Sequence, residues 1–404
     1  MKEKYTYTEC CSTVYFEENK IVSFQKNDVA EYSFRVLKDG KIGIHFQVGE
    51  MDDTTGYALA EENLVRNRPY PYDLETGCRK RDKTERTYSD KELFSIADKA
   101  LAHITEKYPQ FTLNGSFSLQ TEYVGQTNSK GLDYENKDSH IQVSVNYKHR
   151  DSKDLQNGFF TIGQRDFSFE KLYEMADNYL GNFEKQAEFP EEVILQSQYY
   201  NFVGNLTGQL DAERLALGAS LLSGKLGEKV FSENFTLIDD DSDETCWHAP
   251  FWDGEGCVKE NDKRVFVENG VPLFGYSDKR VAEKYNVPHT GNAFRNYEDI
   301  PGNGRTNMII KRSDKTVKEL LAGKHSIVID HFGGGGFNEA GDYVLPVFHA
   351  FLCDGEKFLG SLPPFTLTSN LFDMFGKDFI GVGSDQPVFN DKQILLKVNI
   401  TPNA

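Results

Sequence analysis

The residues best placed to do chemistry lie between Asp330 and Asp342. Asp330 and His331 close an apolar run, Ser326-Ile327-Val328-Ile329, and four glycines, Gly333 to Gly336, follow between Phe332 and Phe337. Glycine accepts positive φ and lets another backbone come close. Such a run can cradle a phosphate, or leave a strand edge bare. A phosphate loop needs a Lys-Ser/Thr pair or a helix N-terminus directly behind the glycines. Here Asn338-Glu339-Ala340-Gly341-Asp342 reads as a turn and Tyr343-Val344-Leu345 as the start of a strand. Two expectations remain. One is a glycine-rich hairpin corner. The other is a peptide-docking edge formed by Phe332, Gly333, Gly334, Gly335, Gly336 and Phe337, along which an extended peptide adds as a strand.

Other reactive residue types are dispersed. Nine histidines, at 45, 103, 140, 149, 248, 289, 325, 331 and 349, include no H-E-x-x-H or H-x-H spacing. His331, beside Asp330 and the glycines, is the most suggestive, although a lone histidine at a strand corner is ordinarily structural. The run Asp239-Asp240-Asp241-Ser242-Asp243-Glu244 begins like a calcium loop. It lacks the glycine required at the sixth position, and Pro250 stands at the twelfth, so a solvated turn is expected. Cys257 follows Gly254-Glu255-Gly256 and is a possible nucleophile with no base supplied nearby in the sequence. There is no G-x-S-x-G elbow.

The bulk properties narrow the function class. The chain has 404 residues, 38% hydrophobic and 13% aromatic, which is enough for two or three domains with sizeable cores. A net charge of −18 repels phosphate backbones and argues against direct nucleic-acid binding. The densest basic run, Arg79-Lys80-Arg81, is followed by Asp82 and Glu85 and reads as a solvated loop. No stretch approaches the ~18 apolar residues of a membrane helix, and the first sixteen residues lack the apolar core of a secretory signal. A cytoplasmic location without membrane association is expected. Six cysteines without C-x-x-C spacing fit reduced thiols.

The elements that must position these residues read as α+β with antiparallel pairing dominant. Residues 12–48 form a meander: two short strands around Glu18-Asn19-Lys20, then an alternating pair joined at Asp39-Gly40, a primed-turn dipeptide. A short helix is expected from Thr54 to Arg66 and a polar loop over 67–88. Ser89 and Glu92 make a capping box ahead of Leu93, Ile96, Ala97, Ala100, Leu101 and Ile104 at helical spacing. Strands resume at Phe111–Val124, Ile141–Tyr147 and Phe159–Ile162, and Ser168 caps a second amphipathic helix. The segment around Pro190 is the expected boundary between an N-terminal domain, 1–187, with two amphipathic helices, and a β-rich domain, 188–404. Beyond it, Val193–Leu195 reads as a strand and 197–222 as mainly helical. Asn269-Gly270 and Asp354-Gly355 mark hairpins, and short helices are expected at 277–285 and 316–321.

An ordered series of short motifs carries a family resemblance over nearly the whole chain. It comprises Val36-Leu-Lys-Asp-Gly-Lys-Ile-Gly43, Asn128-Ser-Lys-Gly131, Ser223-Gly-Lys-Leu-Gly-Glu-Lys-Val230, Thr236-Leu-Ile-Asp-Asp240 and Phe251-Trp-Asp-Gly-Glu-Gly256. It continues with Val267-Glu-Asn-Gly-Val271, Gly275-Tyr276, His289-Thr-Gly-Asn-Ala293, the four glycines, Asn370-Leu371 and Gly381-Val-Gly383. The chain resembles the TldD/PmbA family, labelled modulators of DNA gyrase and assigned to metallopeptidases. In its catalytic subunit a helix carries H-E-x-x-x-H, whose histidines hold zinc while the glutamate activates water. Aligning Val193-Ile-Leu195 with the family's strand puts Asn205 at the first histidine, Leu206 at the glutamate and Leu210 at the second histidine. The catalytic subunit also uses a cysteine near its C-terminus, whereas the last cysteine here is Cys353.

The resemblance therefore implies the PmbA/TldE-like branch. This is a non-catalytic subunit of a cytoplasmic TldD-type metallopeptidase acting on unfolded peptides, with no cofactor of its own and zinc in a TldD-like partner. The partners implied are that catalytic subunit, or a second copy of the chain as a dimer, and unfolded peptide. Two alternatives stand beside it. One is a metallopeptidase in its own right with a displaced metal site around His331, His349 or His289. The other is a homodimeric peptide-binding protein without catalysis.

Overall fold

The computed structural model describes residues 1–403 apart from 199, 296, 305 and 306, with backbone alone at 200 and 201. The first half runs β1 (Lys2–Glu17), β2 (Lys20–Lys38), β3 (Lys41–Val48), α1 (Asp53–Glu62), β4 (Arg68–Pro69), β5 (Gly77–Asp82), α2 (Asp90–Lys107), β6 (Phe111–Asn128), β7 (Leu132–His149), β8 (Gly158–Gln164) and α3 (Phe169–Asn182). Its eight strands form one sheet in the order β4-β3-β2-β1-β6-β7-β5, with β8 also on β7. Pairing is antiparallel except between β5 and β7. Both α2 and α3 bury their apolar stripes against the sheet in one core with Val14, Phe16, Phe117 and Val143. The capping box is complete, with the Ser89 hydroxyl accepting from the Glu92 N–H and the Glu92 carboxylate from the Ser89 N–H. Asp39 and Gly40 both take positive φ, as the primed turn requires.

Three expectations for this half change. The two short strands around Glu18-Asn19 belong to continuous strands of 16 and 19 residues, because β1 is paired along its length by β2 on one side and β6 on the other. Pairing on both flanks carries polar residues of β1 such as Glu9 and Ser12 into the sheet despite their weak strand preference. The loop expected over 67–88 contains β4 and β5. Arg79-Lys80-Arg81 lies on β5 and is engaged. Arg79 pairs with Asp262 at 2.5 Å, Lys80 with Glu135 at 2.6 Å, and Arg81 donates to the carbonyls of Asp241 and Ala249.

The second half continues with β9 (Ile194–Gln198), α4 (Tyr200–Gln209), α5 (Ala212–Ala216), β10 (Leu237–Asp240), β11 (Lys263–Glu268), β12 (Val271–Pro272), α6 (Lys279–Tyr285), β13 (Ala293–Phe294), β14 (Gly302–Asn303), β15 (Met308–Ile310) and α7 (Val317–Leu321). It closes with β16 (Ser326–Phe332), β17 (Gly336–Phe337), β18 (Asp342–Cys353), β19 (Phe358–Leu362), β20 (Phe365–Asn370), α8 (Leu371–Phe375), β21 (Phe379–Val382), β22 (Gln393–Lys397) and β23 (Asn399–Pro402). A nine-stranded sheet runs β21-β22-β9-β16-β18-β20-β23, with β17 and β19 also on β18, and a four-stranded sheet runs β12-β11-β10-β15. The expected helix over 197–222 resolves into the end of β9 and two short helices. The Asp354-Gly355 hairpin is a four-residue loop in which the Asp354 carboxylate accepts from the N–H groups of Glu356 and Lys357. The fold is α+β with mostly antiparallel sheets. Among the described residues no helix is long and apolar enough to cross a membrane.

The acidic run is a further correction. Asp239, Asp240 and Asp241 are buried, not solvated. Lys259 Nζ lies 3.1 Å from Asp239 and 2.6 Å from Asp241, Lys263 pairs with Asp240 at 3.1 Å, and the Asn292 and Asn307 amides donate to Asp239 and Asp241. The lysines come from positions 18–23 residues downstream, a compensation that local composition does not display.

Candidate functional site

Strand β9 aims α4 into the core of the second half. Leu195 pairs in parallel with Ile327 on β16, and β22 flanks β9 on its other side. Helical spacing then turns Phe202, Val203, Leu206 and Leu210 inward, where all four are buried among Leu345, Val347, Leu367 and Phe375. Asn205 is half-buried, and the Thr207 hydroxyl is spent on the Gly204 carbonyl at 3.1 Å. A zinc ion needs N, O or S ligands, and the family's H-E-x-x-x-H motif would supply two of them from one helical face. Two core isobutyl groups and one amide at Asn205, Leu206 and Leu210 do not fit that ion, and α4 carries no histidine or carboxylate to replace them.

The glycines form an arch that returns along β18. Gly333 N–H donates to the Pro346 carbonyl, and Gly336 and Phe337 pair with Val344 and Tyr343. Gly334 and Gly335 have φ of +67° and +110°, which side chains rarely adopt. The hairpin-corner expectation is thus met for much of the run. Around the arch, Phe332, Val344 and Phe348 are exposed, while the Phe337 ring packs 4.7 Å from Tyr343.

The residues flanking the arch form a buried relay rather than a metal site. Asp330 accepts from the Tyr147 hydroxyl, from the Phe159 N–H at 3.2 Å and from His349 Nδ1 at 2.9 Å. His349 Nε2 lies 3.0 Å from Ser361 Oγ. The Asp-His-Ser spacing is that of a nucleophilic triad, but the serine proton is committed to the Phe183 carbonyl at 2.5 Å, and the backbone of Lys185 and Ala187 covers Ser361. The relay joins β16, β18 and β19 to β7, β8 and the end of α3. His331 faces His349 in register but sets its ring against Phe348.

His289, remote from both, lies 3.6 Å from Glu255 and close to Cys257 and Asp253. Burial pushes the Cys257 thiol far up, with Asp253 adding to the shift, so an activated nucleophile is not formed there. In the sequence Asp253 and Glu255 stand only within the family motif Phe251–Gly256 and beside Cys257, because the partners that reach them, Tyr5, Tyr70, Lys279, His289 and Ala293, are remote in the chain.

Comparison with known proteins decides the family. The sequence profile described as PmbA/TldA metallopeptidase C-terminal domain matches residues 191–398, more than half of the chain. The chain belongs to the PmbA/TldD family. A protein of Methanothermobacter thermautotrophicus named metalloprotease is 24% identical over 94% of this chain and 87% of its own length. An uncharacterised protein of Methanocaldococcus jannaschii is 27% identical over 76% of this chain and 74% of its own. Among solved structures, TldE from Thermococcus kodakarensis superposes with a TM-score of 0.81 at 21% identity, covering 100% of this chain and 96% of that one. A protein of Thermotoga maritima described as a modulator of a DNA gyrase superposes at 0.77 with 20% identity, covering 99% and 96%. These similarities assign the PmbA/TldD fold to the whole chain. The family name implies a metal, and Asn205, Leu206 and Leu210 offer one amide and no imidazole or carboxylate to hold it.

Proposed function

We infer that this PmbA/TldD member is the non-catalytic, TldE-like subunit of a metallopeptidase complex that acts on unfolded peptides in the cytoplasm. One observation supports this reading: Asn205 on α4, with Leu206 and Leu210, the positions expected to match the zinc-binding helix of a catalytic subunit, carry no imidazole or carboxylate, and the two leucines are buried in the core. Residues 1–187 and 188–404 act as its two domains. The second pairs with a TldD-like subunit, or with a second copy of the chain, across an interface above ~1,000 Å². The arch from Phe332 to Phe337 supplies a docking edge, where an extended peptide lies against the backbone of Gly334 and Gly335 and the exposed rings of Phe332 and Phe348. The catalytic zinc and the hydrolytic step reside in the partner, and any effect on DNA gyrase passes through turnover of a peptide.

The test is co-expression with a TldD-like protein from the same source. The pair should co-elute and degrade an unfolded protein such as casein in a chelator-sensitive manner, while this chain alone should not. Chelator-sensitive cleavage by the chain alone would replace the reading with that of an independent peptidase. Peptide binding by the chain, with no partner capture and no gain in cleavage, would replace it with that of a binding protein.

A further inference from the structure

Four side chains with metal-ligating atoms converge at a place the proposed function does not use. A carboxylate oxygen from each of Asp253 and Glu255, the Cys257 thiol and a ring nitrogen of His289 lie within 4.8 Å of one another. Three come from one turn and the fourth from the loop after α6.

The carboxylates are held in place by outer hydrogen bonds. Asp253 Oδ1 accepts from the N–H groups of Glu255 (2.9 Å) and Cys257 (2.8 Å), and Oδ2 accepts from Ala293 N–H (2.9 Å). The Glu255 oxygens accept from the Tyr70 hydroxyl (2.9 Å) and the Lys279 N–H (3.1 Å). Asp253 Oδ2 and both Glu255 oxygens each keep a lone pair after these bonds, and metal-ligating carboxylates are ordinarily anchored in this manner. The softer pair is less committed. Cys257 Sγ makes a long 3.6 Å contact with Glu75, and His289 Nε2 stands 3.6 Å from Glu255, beyond hydrogen-bond reach.

The charge balance points the same way. Of the cations bordering the turn, Arg35 is matched with Glu3 at 3.2 Å and Lys279 with Glu75 at 2.7 Å, and Arg295 donates to the Pro250 and Trp252 carbonyls. Asp253 and Glu255 are 1% and 3% exposed, and among the described residues neither has a lysine or arginine nitrogen within 4.0 Å. Two neighbouring buried carboxylates without a cation are costly.

We propose that Asp253, Glu255, Cys257 and His289 form a structural site for a zinc-like divalent cation. Thiolate, imidazole and carboxylate together suit a borderline ion of this kind, whereas calcium and magnesium take oxygen ligands. Four protein ligands fill a tetrahedral shell and leave no position for an activated water, so the ion is a staple and not a hydrolytic centre. The Gly254 carbonyl within the same turn accepts from Tyr5 and Arg35 of the N-terminal sheet. The ion therefore ties the His289 loop to the turn that seats on that sheet. His289, partly exposed, lies on the entry side.

The test uses the full chain, stripped with a chelator and titrated with Co²⁺. One Co²⁺ per chain should bind, with intense tetrahedral visible bands and a thiolate-to-cobalt charge-transfer band, be displaced by Zn²⁺, and raise the melting temperature. Cys257→Ser should abolish the charge-transfer band, and His289→Ala should weaken binding about 100-fold or more. Both variants leave the three backbone hydrogen bonds of Asp253 in place, so their metal-free melting should match the parent. Failure to bind Co²⁺ stoichiometrically, or binding equally tight in both variants, would overturn the proposal.

Discussion

Single side chains in this fold carry strong electrostatic consequences where the two halves meet. Glu122 on β6 is buried beside His248, at 3.7 Å. Burial pushes its carboxyl from 4.5 up to about 7, with Glu9 and Asp138 adding to the rise and Tyr7 and Arg295 opposing it. The unfolded chain releases this proton near the ordinary value, whereas the folded chain holds it until about 7. Folded stability therefore falls as pH rises between those values and is level above them. Glu122→Gln removes the penalty. Relative to the parent, it should be near neutral at about pH 4 and more stable on the order of 2 kcal/mol at about pH 8, read from urea unfolding at both. A difference that does not change with pH would show that Glu122 ionises in place without cost.

At the level of elements, the glycine arch separates backbone geometry from docking. Gly334 has open space around an added Cβ but a φ of +67°, so Gly334→Ala meets only backbone strain, about 1 kcal/mol. Gly335 has a φ of +110°, and its added Cβ would lie 2.5 Å from the Val344 carbonyl oxygen, so Gly335→Ala should cost at least about 3 kcal/mol. Denaturant titration of the two variants checks the ranking, and equal costs would mean that the arch is not held against β18. Gly334→Ala is thus the substitution with which to ask whether peptide handling depends on the bare edge.

The whole molecule is organised around a core that the two large sheets share. Val328, Phe351, Cys353, Phe358 and Val388 belong to the same buried cluster as the apolar faces of α2 and α3. Tyr179 on α3 packs 5.8 Å from Phe351 and 4.9 Å from Phe358, whose rings stack on each other at 4.3 Å. The Asp330 relay crosses the same seam. Calorimetry should therefore give one cooperative transition with matching van't Hoff and calorimetric enthalpies. Phe351→Ala should cost about 3–5 kcal/mol and lower that single transition without splitting it. Two resolved transitions in the parent would mean that the shared core does not couple the halves.

Much of the local structure was legible because its causes are local. The capping box at Ser89/Glu92, the turns at Asp39-Gly40 and Asn269-Gly270, and the helical stripe from Leu93 to Ile104 depend on residues a few positions apart. The motif order that marks the family, and the exclusion of zinc ligands from α4, needed only residue identity. Strand length was not legible, since β1 and β2 are extended by partners on their flanks. The burial of Asp239–Asp241, the engagement of Arg79–Arg81 and the Asp330–His349–Ser361 relay were hidden for the same reason: each compensating group is remote in the chain. The convergence of His289 on Asp253, Glu255 and Cys257 was decided by tertiary structure alone. Burial sets the charge and ligand chemistry there, and burial is a property of the packed sheets, not of any single stretch of sequence.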